Sequence, residues 1–241
     1  MLGQGARDVE ATTAAILAGG RASRLGAVGA GKPKALVEVA GRPFLGHVLG
    51  LLRRRGLRRA VLCVGHRGGE IRAHVGDGSA FGLEVRYSED GERLLGTGGA
   101  LKKAGPLLGE AFFVLYGDSY MDIDYAAVLA AFAAGDALGL MTVIENRDRW
   151  DRSNAVFRDG RLVRYDKRVQ APDMAHIDYG VAVLRRAALE RIPAGEPYDL
   201  ADLYAALVAE GKMAGFEVRE RFYHIGTPEA LAETEAYLSG R

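Results

Sequence analysis

The chain has 241 residues, of which 49% are hydrophobic and 26% are charged, a balance typical of a soluble globular protein and unlike that of a disordered or fibrous chain. Its 32 basic and 31 acidic residues leave a net charge of +1, which removes the electrostatic reason to expect a nucleic-acid or anionic-membrane partner. The single cysteine, Cys63, cannot form an internal disulfide and lies in an apolar run. It is predicted to be a buried strand residue in a reducing compartment.

Two stretches bear on targeting. Residues 1–13 lack the apolar core of a signal peptide, so a cytoplasmic location is the expected default. Residues 125–144 are the nearest approach to a membrane span, but Gly135 and Asp136 divide them into an alanine-rich half and a strand-like half. The sequence therefore predicts a buried helix followed by a strand there, and no membrane partner.

Short apolar runs alternate with helical patterns over the first 145 residues. Strands are predicted at 14–17, 60–64, 84–87, 112–116 and 138–144, and helices near 44–54, 70–75, 99–108 and 125–134. Such alternation favours a mostly parallel sheet covered by helices on both faces. Ligands of such sheets bind at the carboxyl ends of the strands.

The pattern changes after Glu145, where two strand-like runs flank an Asp159-Gly160 pair that is typical of a hairpin turn. A strand near 179–184, a helix near 199–210, a strand near 215–218 and a last helix over 228–238 complete the predicted elements. No linker or repeat separates the halves. We therefore expect a single α/β domain, a Rossmann-like three-layer sandwich whose mostly parallel, mixed sheet carries an inserted antiparallel hairpin region.

A glycine turn follows the first predicted strand. Gly19 and Gly20 would let backbone amides approach a phosphate closely, and the guanidinium group of Arg24 would add positive charge beside them. A plain strand-to-helix turn with surface arginines explains the same residues equally well. The turn lacks both the Gly-x-Gly-x-x-Gly dinucleotide fingerprint and the Gly-Lys-Ser/Thr ending of a triphosphatase loop.

Lysine is scarce, with six against 26 arginines, yet it occurs at both 32 and 34. A compact ammonium neutralises a phosphate as a point charge where a guanidinium is too broad. The glycine turn and these lysines together resemble the signature of the sugar-1-phosphate nucleotidyltransferases. The matching segments are LAGGRASRLG from Leu17, KPKALVEVAGRPFL from Lys32, GTGGAL from Gly96, LYGD from Leu115, YDKR from Tyr165 and GTPE from Gly226.

The resemblance implies attack of a sugar-1-phosphate oxygen on the α-phosphorus of a nucleoside triphosphate, giving an NDP-sugar and pyrophosphate. It also implies a nucleotide-binding half over about 12–145, a sugar-binding half over about 146–227 and a C-terminal helix over 228–241. The implied catalytic residues are Arg24, Lys34 and Asp118, with Asp118 holding Mg²⁺. The implied nucleotide-binding residues are Leu17, Ala18, Gly19, Gly20, Gly96, Thr97 and Gly98, and those for the sugar phosphate are Lys167, Asp178, Tyr179 and Gly180.

Several of these residues also have a structural explanation. Asp118 could cap the next helix, although Asp122 and Asp124 lie closer to it. Lys167 could be a solvated residue at a strand end, and the glycines from Gly96 could simply open a helix.

His224 departs from the family pattern, because it stands where an aspartate commonly provides the second Mg²⁺ ligand. Imidazole is a poor ligand for magnesium. Asp118 and the triphosphate alone could hold Mg²⁺, Asp178 could substitute, the site could prefer Mn²⁺, or catalysis could have been lost in a nucleotide-sugar-binding regulator. The spacing of the other histidines does not suggest a metal site.

The identity of the substrates depends on weaker features. The LGTGGAL segment resembles heptose-1-phosphate guanylyltransferases, which favours GTP with a heptose- or hexose-1-phosphate. Residues 76–109 are also similar to N-acetylmuramate-1-phosphate uridylyltransferases, which makes uridylyl transfer to an amino-sugar 1-phosphate the alternative. A dinucleotide-binding dehydrogenase is disfavoured by the missing fingerprint. The base, the sugar, the pathway and whether the chain forms a homo-oligomer are left open by the sequence.

Overall fold

The structure is a computed structural model that describes residues 4–20, 22, 25 and 31–240. The elements of the first half are α1 (Gln4–Ala11), β1 (Thr13–Leu17), β2 (Glu38–Val39), β3 (Arg42–Pro43), α2 (Phe44–Arg54), β4 (Arg59–Val64), α3 (Gly68–Val75), β5 (Glu84–Glu89), α4 (Gly96–Ala104), β6 (Ala111–Tyr116) and β7 (Ser119–Tyr120). Those of the second half are α5 (Tyr125–Ala133), β8 (Gly139–Glu145), β9 (Ala155–Arg158), β10 (Arg161–Tyr165), β11 (His176–Arg185), α6 (Leu200–Ala209), β12 (Met213–Glu217), β13 (Tyr223–His224) and α7 (Pro228–Ser239).

The main sheet has a parallel part and an antiparallel part. Strands β6, β1, β4 and β5 are neighbours in that order and run parallel, so their carboxyl ends share one edge of the sheet. Strand β11 pairs antiparallel with β6 and extends the sheet to β8, β9 and β10, with β12 beside β8. The mixed, mostly parallel sheet expected from the sequence is confirmed.

Alternate residues of the central strand β1 face opposite sides of the sheet, because successive side chains of a strand point in opposite directions. Ala14 and Ile16 pack into one apolar cluster, and Ala15 and Leu17 pack into another. Helices cover both faces, which gives the three layers. Cys63 is buried in β4 with 1% of its surface exposed, as predicted, and burial raises the pKa of its thiol to about 12.

Helix starts and turns follow local signals in the sequence. Asp124 caps α5 by accepting hydrogen bonds from the amides of Ala126 and Ala127, so the helix cap considered for Asp118 is provided by Asp124 instead. Thr227 caps α7, which has proline at its first position. Asp159 and Gly160 both adopt positive φ angles between β9 and β10, which confirms the predicted hairpin. No helix in the described part of the chain is long and apolar enough to cross a membrane.

Candidate active site

A cavity of about 380 Å³ opens at the carboxyl ends of β1, β4 and β6. The backbone after β1 forms one of its walls, so Leu17, Ala18, Gly19 and Gly20 all line it, together with residues from the segment after β5. Gly19 lies so close to the next strand that a Cβ atom there would be 3.1 Å from the amide nitrogen of Gly65. The glycine turn therefore brings backbone, without side chains, to the edge of the cavity.

A second cavity of about 440 Å³ adjoins the first on the antiparallel side of the sheet. The residues predicted to bind the sugar phosphate all line it, namely Lys167, Asp178, Tyr179 and Gly180. His224 lines it as well. The two cavities share three lining residues, Lys34, Tyr116 and Asp118. A molecule in either cavity would therefore meet the same charged residues at the boundary.

Lys34 and Asp118 form an ion pair at this boundary, with Lys34 Nζ 2.5 Å from Asp118 Oδ2. The lysine side chain is 9% exposed and the carboxylate is 31% exposed, so the pair is shielded on the lysine side and open to the cavities on the other. Asp118 follows β6, and Lys34 begins a short 3₁₀ turn after Pro33. The hydroxyl of Ser119 also donates a hydrogen bond to Asp118, at 3.2 Å.

Asp178 lies at the inner wall of the second cavity. Its Oδ1 accepts a hydrogen bond from the amide of Gly180 at 2.9 Å, and its Oδ2 accepts one from the hydroxyl of Tyr165 at 3.3 Å. Burial raises the pKa of Asp178, and the charge of Lys167 opposes that effect. Gly180 has a φ of +96°, a conformation that favours glycine, and it turns the chain so that its amide reaches Asp178. Within the described part of the chain, the buried hydroxyl of Tyr179 has no hydrogen-bond partner.

His224 lies next to the ion pair, because β13 pairs antiparallel with β7 and places His224 opposite Ser119. Its Nδ1 accepts a hydrogen bond from the amide of Gly226 at 3.0 Å, so the neutral ring carries its proton on Nε2. A Cβ atom on Gly226 would lie 2.7 Å from Nδ1 and 3.9 Å from Lys34 Nζ. The imidazole therefore lies in the part of the second cavity that borders Lys34.

The glycine-rich start of α4 contacts the cavity only in part. Gly96 and Thr97 line it, but Gly98 packs against Tyr198, whose carbonyl oxygen accepts a hydrogen bond from the Gly98 amide at 2.8 Å. The Thr97 hydroxyl donates to Asp199 and accepts from the amide of Leu200. These contacts join α4 to α6, and the roles of the three residues toward a nucleotide stay predictions.

Arg24, with its neighbours Arg21, Ser23 and Gly26, lies outside the described residues, so its assigned role also stays a prediction.

Asn154 and Asp90 are among the residues that the structure brings to these cavities and that sequence reasoning did not assign to the site. Asn154 lines the second cavity and accepts a hydrogen bond from the amide of Asp178 at 2.9 Å. Asp90 lines the first cavity directly after β5. The signal that pointed to Asp118, an acidic residue following an apolar strand, does not extend to Asp90, because β5 has the mixed sequence EVRYSE.

Comparisons with known proteins give the family. A family model described as "Nucleotidyl transferase" matches residues 13–158. An N-acetylmuramate α-1-phosphate uridylyltransferase from Caulobacter vibrioides is 31% identical over 94% of this chain and 96% of its own length. The chain belongs to the nucleotidyl transferase family.

Other relatives share the family but differ in named substrates. A mannose-1-phosphate guanylyltransferase from Mycobacterium tuberculosis is 29% identical over 93% of this chain, which spans 64% of that relative's length. A D-glycero-α-D-manno-heptose 1-phosphate guanylyltransferase from Aneurinibacillus thermoaerophilus is 26% identical over 93% of this chain and 97% of its own length. The resemblance to the sugar-1-phosphate nucleotidyltransferases is thereby confirmed.

The fold of the family is confirmed by solved structures. HddC from Yersinia pseudotuberculosis, in a complex with GMP-PN, superposes with a TM-score of 0.77 at 23% identity over 94% of this chain and 99% of its own. A Bacillus anthracis protein that is named as a glucose-1-phosphate thymidylyltransferase superposes with a TM-score of 0.84 at 18% identity over 96% of both chains.

Nucleotidyltransferases of this family generally use a divalent metal ion. No group of three or more His, Cys, Asp or Glu side chains within the described ranges could hold one. A hard cation that takes one carboxylate and completes its coordination with phosphate oxygens and water still fits Asp118, whose carboxylate faces both cavities. His224, an imidazole, does not suit magnesium as a further ligand.

Proposed function

We propose that the protein transfers a nucleoside monophosphate from a nucleoside triphosphate to a sugar 1-phosphate, releasing pyrophosphate. The single observation that carries this proposal is the Lys34–Asp118 ion pair at the boundary of two adjoining cavities. The first cavity would hold the nucleotide above the glycine turn, and the second would hold the sugar phosphate. The reaction would then take place where the cavities meet.

The chemistry of this reaction needs charge compensation more than a general base. A phosphate monoester has a second pKa of about 6, so the attacking oxygen is already largely deprotonated at pH 7. A P–O bond forms between that oxygen and the α-phosphorus while the bond to pyrophosphate breaks. Lys34 at the boundary and Lys167 in the second cavity would offset the repulsion between the two anions. The amides after β1 and the predicted Arg24 would hold the triphosphate.

Magnesium is the proposed metal, with Mn²⁺ as the substitute, and Asp118 would hold it. The ion would supply positive charge to the triphosphate oxygens. Asp118 would thus serve both Lys34 and the metal, and it would align both with the reacting phosphates. We also propose a cytoplasmic location, where nucleoside triphosphates are abundant.

GTP with a heptose- or hexose-1-phosphate is the preferred substrate pair, in keeping with the two guanylyltransferase relatives. Uridylyl transfer to an amino-sugar 1-phosphate is the second candidate, and the relative from Caulobacter vibrioides favours it, because it is 31% identical to this chain, against 29% and 26% for the two guanylyltransferases.

The test is a pyrophosphate-release assay over GTP, UTP, dTTP, CTP and ATP, each combined with several hexose, heptose and amino-sugar 1-phosphates, in Mg²⁺ and in Mn²⁺. Pyrophosphate and NDP-sugar should appear in equal amounts, and only when both substrates are present. If no pair reacts while NDP-sugars bind tightly, the chain is a regulator that has lost catalysis and the proposal is wrong.

Changing His224 to aspartate is expected to let the protein reach its activity at a lower magnesium concentration. A second carboxylate beside Asp118 adds an oxygen ligand where the imidazole now lies, so half-maximal activity should require about tenfold less Mg²⁺. Steady-state rates measured over a range of Mg²⁺ concentrations check this. His74→Asp, in helix α3 and outside both cavities, is the matched control. An unchanged Mg²⁺ profile in His224→Asp would mean that the metal is held away from position 224.

A further inference from the structure

Asp90 places a carboxylate in the first cavity. A negatively charged side chain does not offset the charge of the reacting phosphates, so it needs another explanation. It follows β5 at the same edge of the sheet at which Asp118 follows β6. In the sheet, β6, β1, β4 and β5 lie side by side, so the two carboxylates are separated by three strand-to-strand steps. At a spacing of about 4.8 Å per step, they start roughly 14 Å apart. The cavity thus has a carboxylate at each end.

The two ends differ in their surroundings. The Asp118 end has Lys34 in contact with the carboxylate and suits phosphates. At the other end, Asp90 Oδ2 accepts a hydrogen bond from the amide of Leu95 at 3.0 Å, while Lys103 bonds to the backbone carbonyl of Asp90 and not to its carboxylate. Burial raises the pKa of Asp90, and the hydrogen bond from the Leu95 amide and the nearby charge of Lys103 oppose that effect. A triphosphate would be repelled there, so the nucleoside end of the ligand belongs at Asp90.

Apolar groups complete this end of the cavity. The side chain of Leu94 lines it although 38% of its surface is exposed, and Cys63 and Ala100 line it too. Gly65 makes room for the segment that carries Asp90 and Leu94, since a Cβ there would lie 2.7 Å from Leu94 Cδ2 and 3.2 Å from Asp90 Oδ2. A flat apolar group with polar edges fits between such walls, and a nucleobase has that shape.

The carboxylate then discriminates among the bases. Guanine carries two neighbouring donors on one edge, N1–H and the 2-amino group, which match the two oxygens of a carboxylate. Uracil and thymine present N3–H between two carbonyl oxygens, which a carboxylate repels, and adenine and cytosine place an acceptor beside their single amino group. An ionised carboxylate offers about four acceptor positions, so the bond from Leu95 leaves enough for both donors of guanine.

We propose that Asp90 selects guanine by accepting hydrogen bonds from its N1–H and 2-amino groups. This inference rests on the nucleotide-binding role proposed above for the first cavity. It names the base, which the sequence left open, and it assigns Asp90 as the residue that determines specificity.

Nucleotide binding to the wild-type protein tests the inference without any chemistry. Isothermal titration with GTP, inosine triphosphate, UTP and dTTP, in the absence of sugar phosphate, should give GTP the tightest binding. We expect GTP to exceed UTP by roughly 5- to 150-fold, the range for a good bidentate contact to a base. Inosine triphosphate lacks the 2-amino group and should lie between them. Equal binding of GTP and inosine triphosphate, or tighter binding of UTP, would overturn the inference.

A variant pair separates base reading from a purely structural role. Asp90→Asn keeps an oxygen for the Leu95 amide but offers guanine one acceptor fewer, so the GTP-to-UTP affinity ratio should fall by about fivefold or more. Asp77→Asn is the control, because Asp77 accepts a hydrogen bond from the Ser79 amide at 2.9 Å in a turn outside the cavity. An unchanged ratio in folded Asp90→Asn contradicts the inference. If that variant does not fold, the inosine comparison on the wild-type protein decides.

These measurements keep the two proposals apart. Selective GTP binding without transfer to any sugar phosphate would contradict the proposed function but leave the role of Asp90 intact. Transfer that proceeds best with UTP would support the proposed function but contradict the role of Asp90.

Discussion

Replacing Asp118 with asparagine should lower kcat/KM for nucleotidyl transfer by about 10³-fold, because the change removes the charge that aligns Lys34 and would hold the metal. Asparagine has nearly the same shape, so the fold should survive. Steady-state kinetics with the best substrate pair, together with a thermal melt, check the two statements. The loss should appear in kcat as well as in kcat/KM, since the interaction is needed most when charge develops on the departing pyrophosphate.

Asp136→Asn is the control for this change, because Asp136 is exposed in the turn between α5 and β8 and lines neither cavity. It should retain wild-type rates. Near wild-type turnover in Asp118→Asn would remove Asp118 from the reaction and leave the metal without its proposed ligand.

Replacing Lys34 with methionine should reduce kcat/KM by about 10²-fold. The lysine side chain is 9% exposed and methionine fills a similar volume, so the variant loses the positive charge while packing is kept. Because Lys34 borders both cavities, the effect should fall on kcat more than on the KM of either substrate. Initial rates with each substrate varied in turn distinguish these outcomes.

Lys32→Met supplies the comparison two residues away. Lys32 is exposed and pairs with the exposed Glu38 at 3.2 Å, so its loss should change the rate little. Equal losses in both variants would mean that general positive charge, and not the position of Lys34, matters. The double variant Lys34→Met/Asp118→Asn should lose less than the sum of the single effects, because the two side chains are in contact.

Much of the fold could be read from periodicity. The strands predicted at 60–64 and 112–116 and the helix at 44–54 lie where the structure has β4, β6 and α2. Helix α1 was missed because residues 4–11 mix glycine, charged and small residues, and its stability comes from contacts with the distant α5. Strand β11 is longer than the predicted 179–184, because its first residues pair with β8 and β9, partners that no local pattern names.

The candidate site, like the fold, could be predicted from the sequence only in part. Lys34 and Asp118 are 84 positions apart, and only the resemblance to a family suggested that they act together. That Gly98 would pack against Tyr198 was not predictable, because their contact depends on how α4 and α6 lie against each other. Asp90 was overlooked for a different reason, since its meaning depends on the order β6, β1, β4, β5, which the sequence does not give.

The boundary that the two cavities share has a consequence for turnover. In the proposed binding mode, an NDP-sugar would occupy both cavities at once, whereas each substrate would occupy only one. Joining the two halves removes the entropic cost of binding the second separately, so the finished product should be held more tightly than either starting material. Slow product departure, and inhibition by accumulated NDP-sugar, would follow from that geometry, and supplying pyrophosphate should readily drive the reaction backwards.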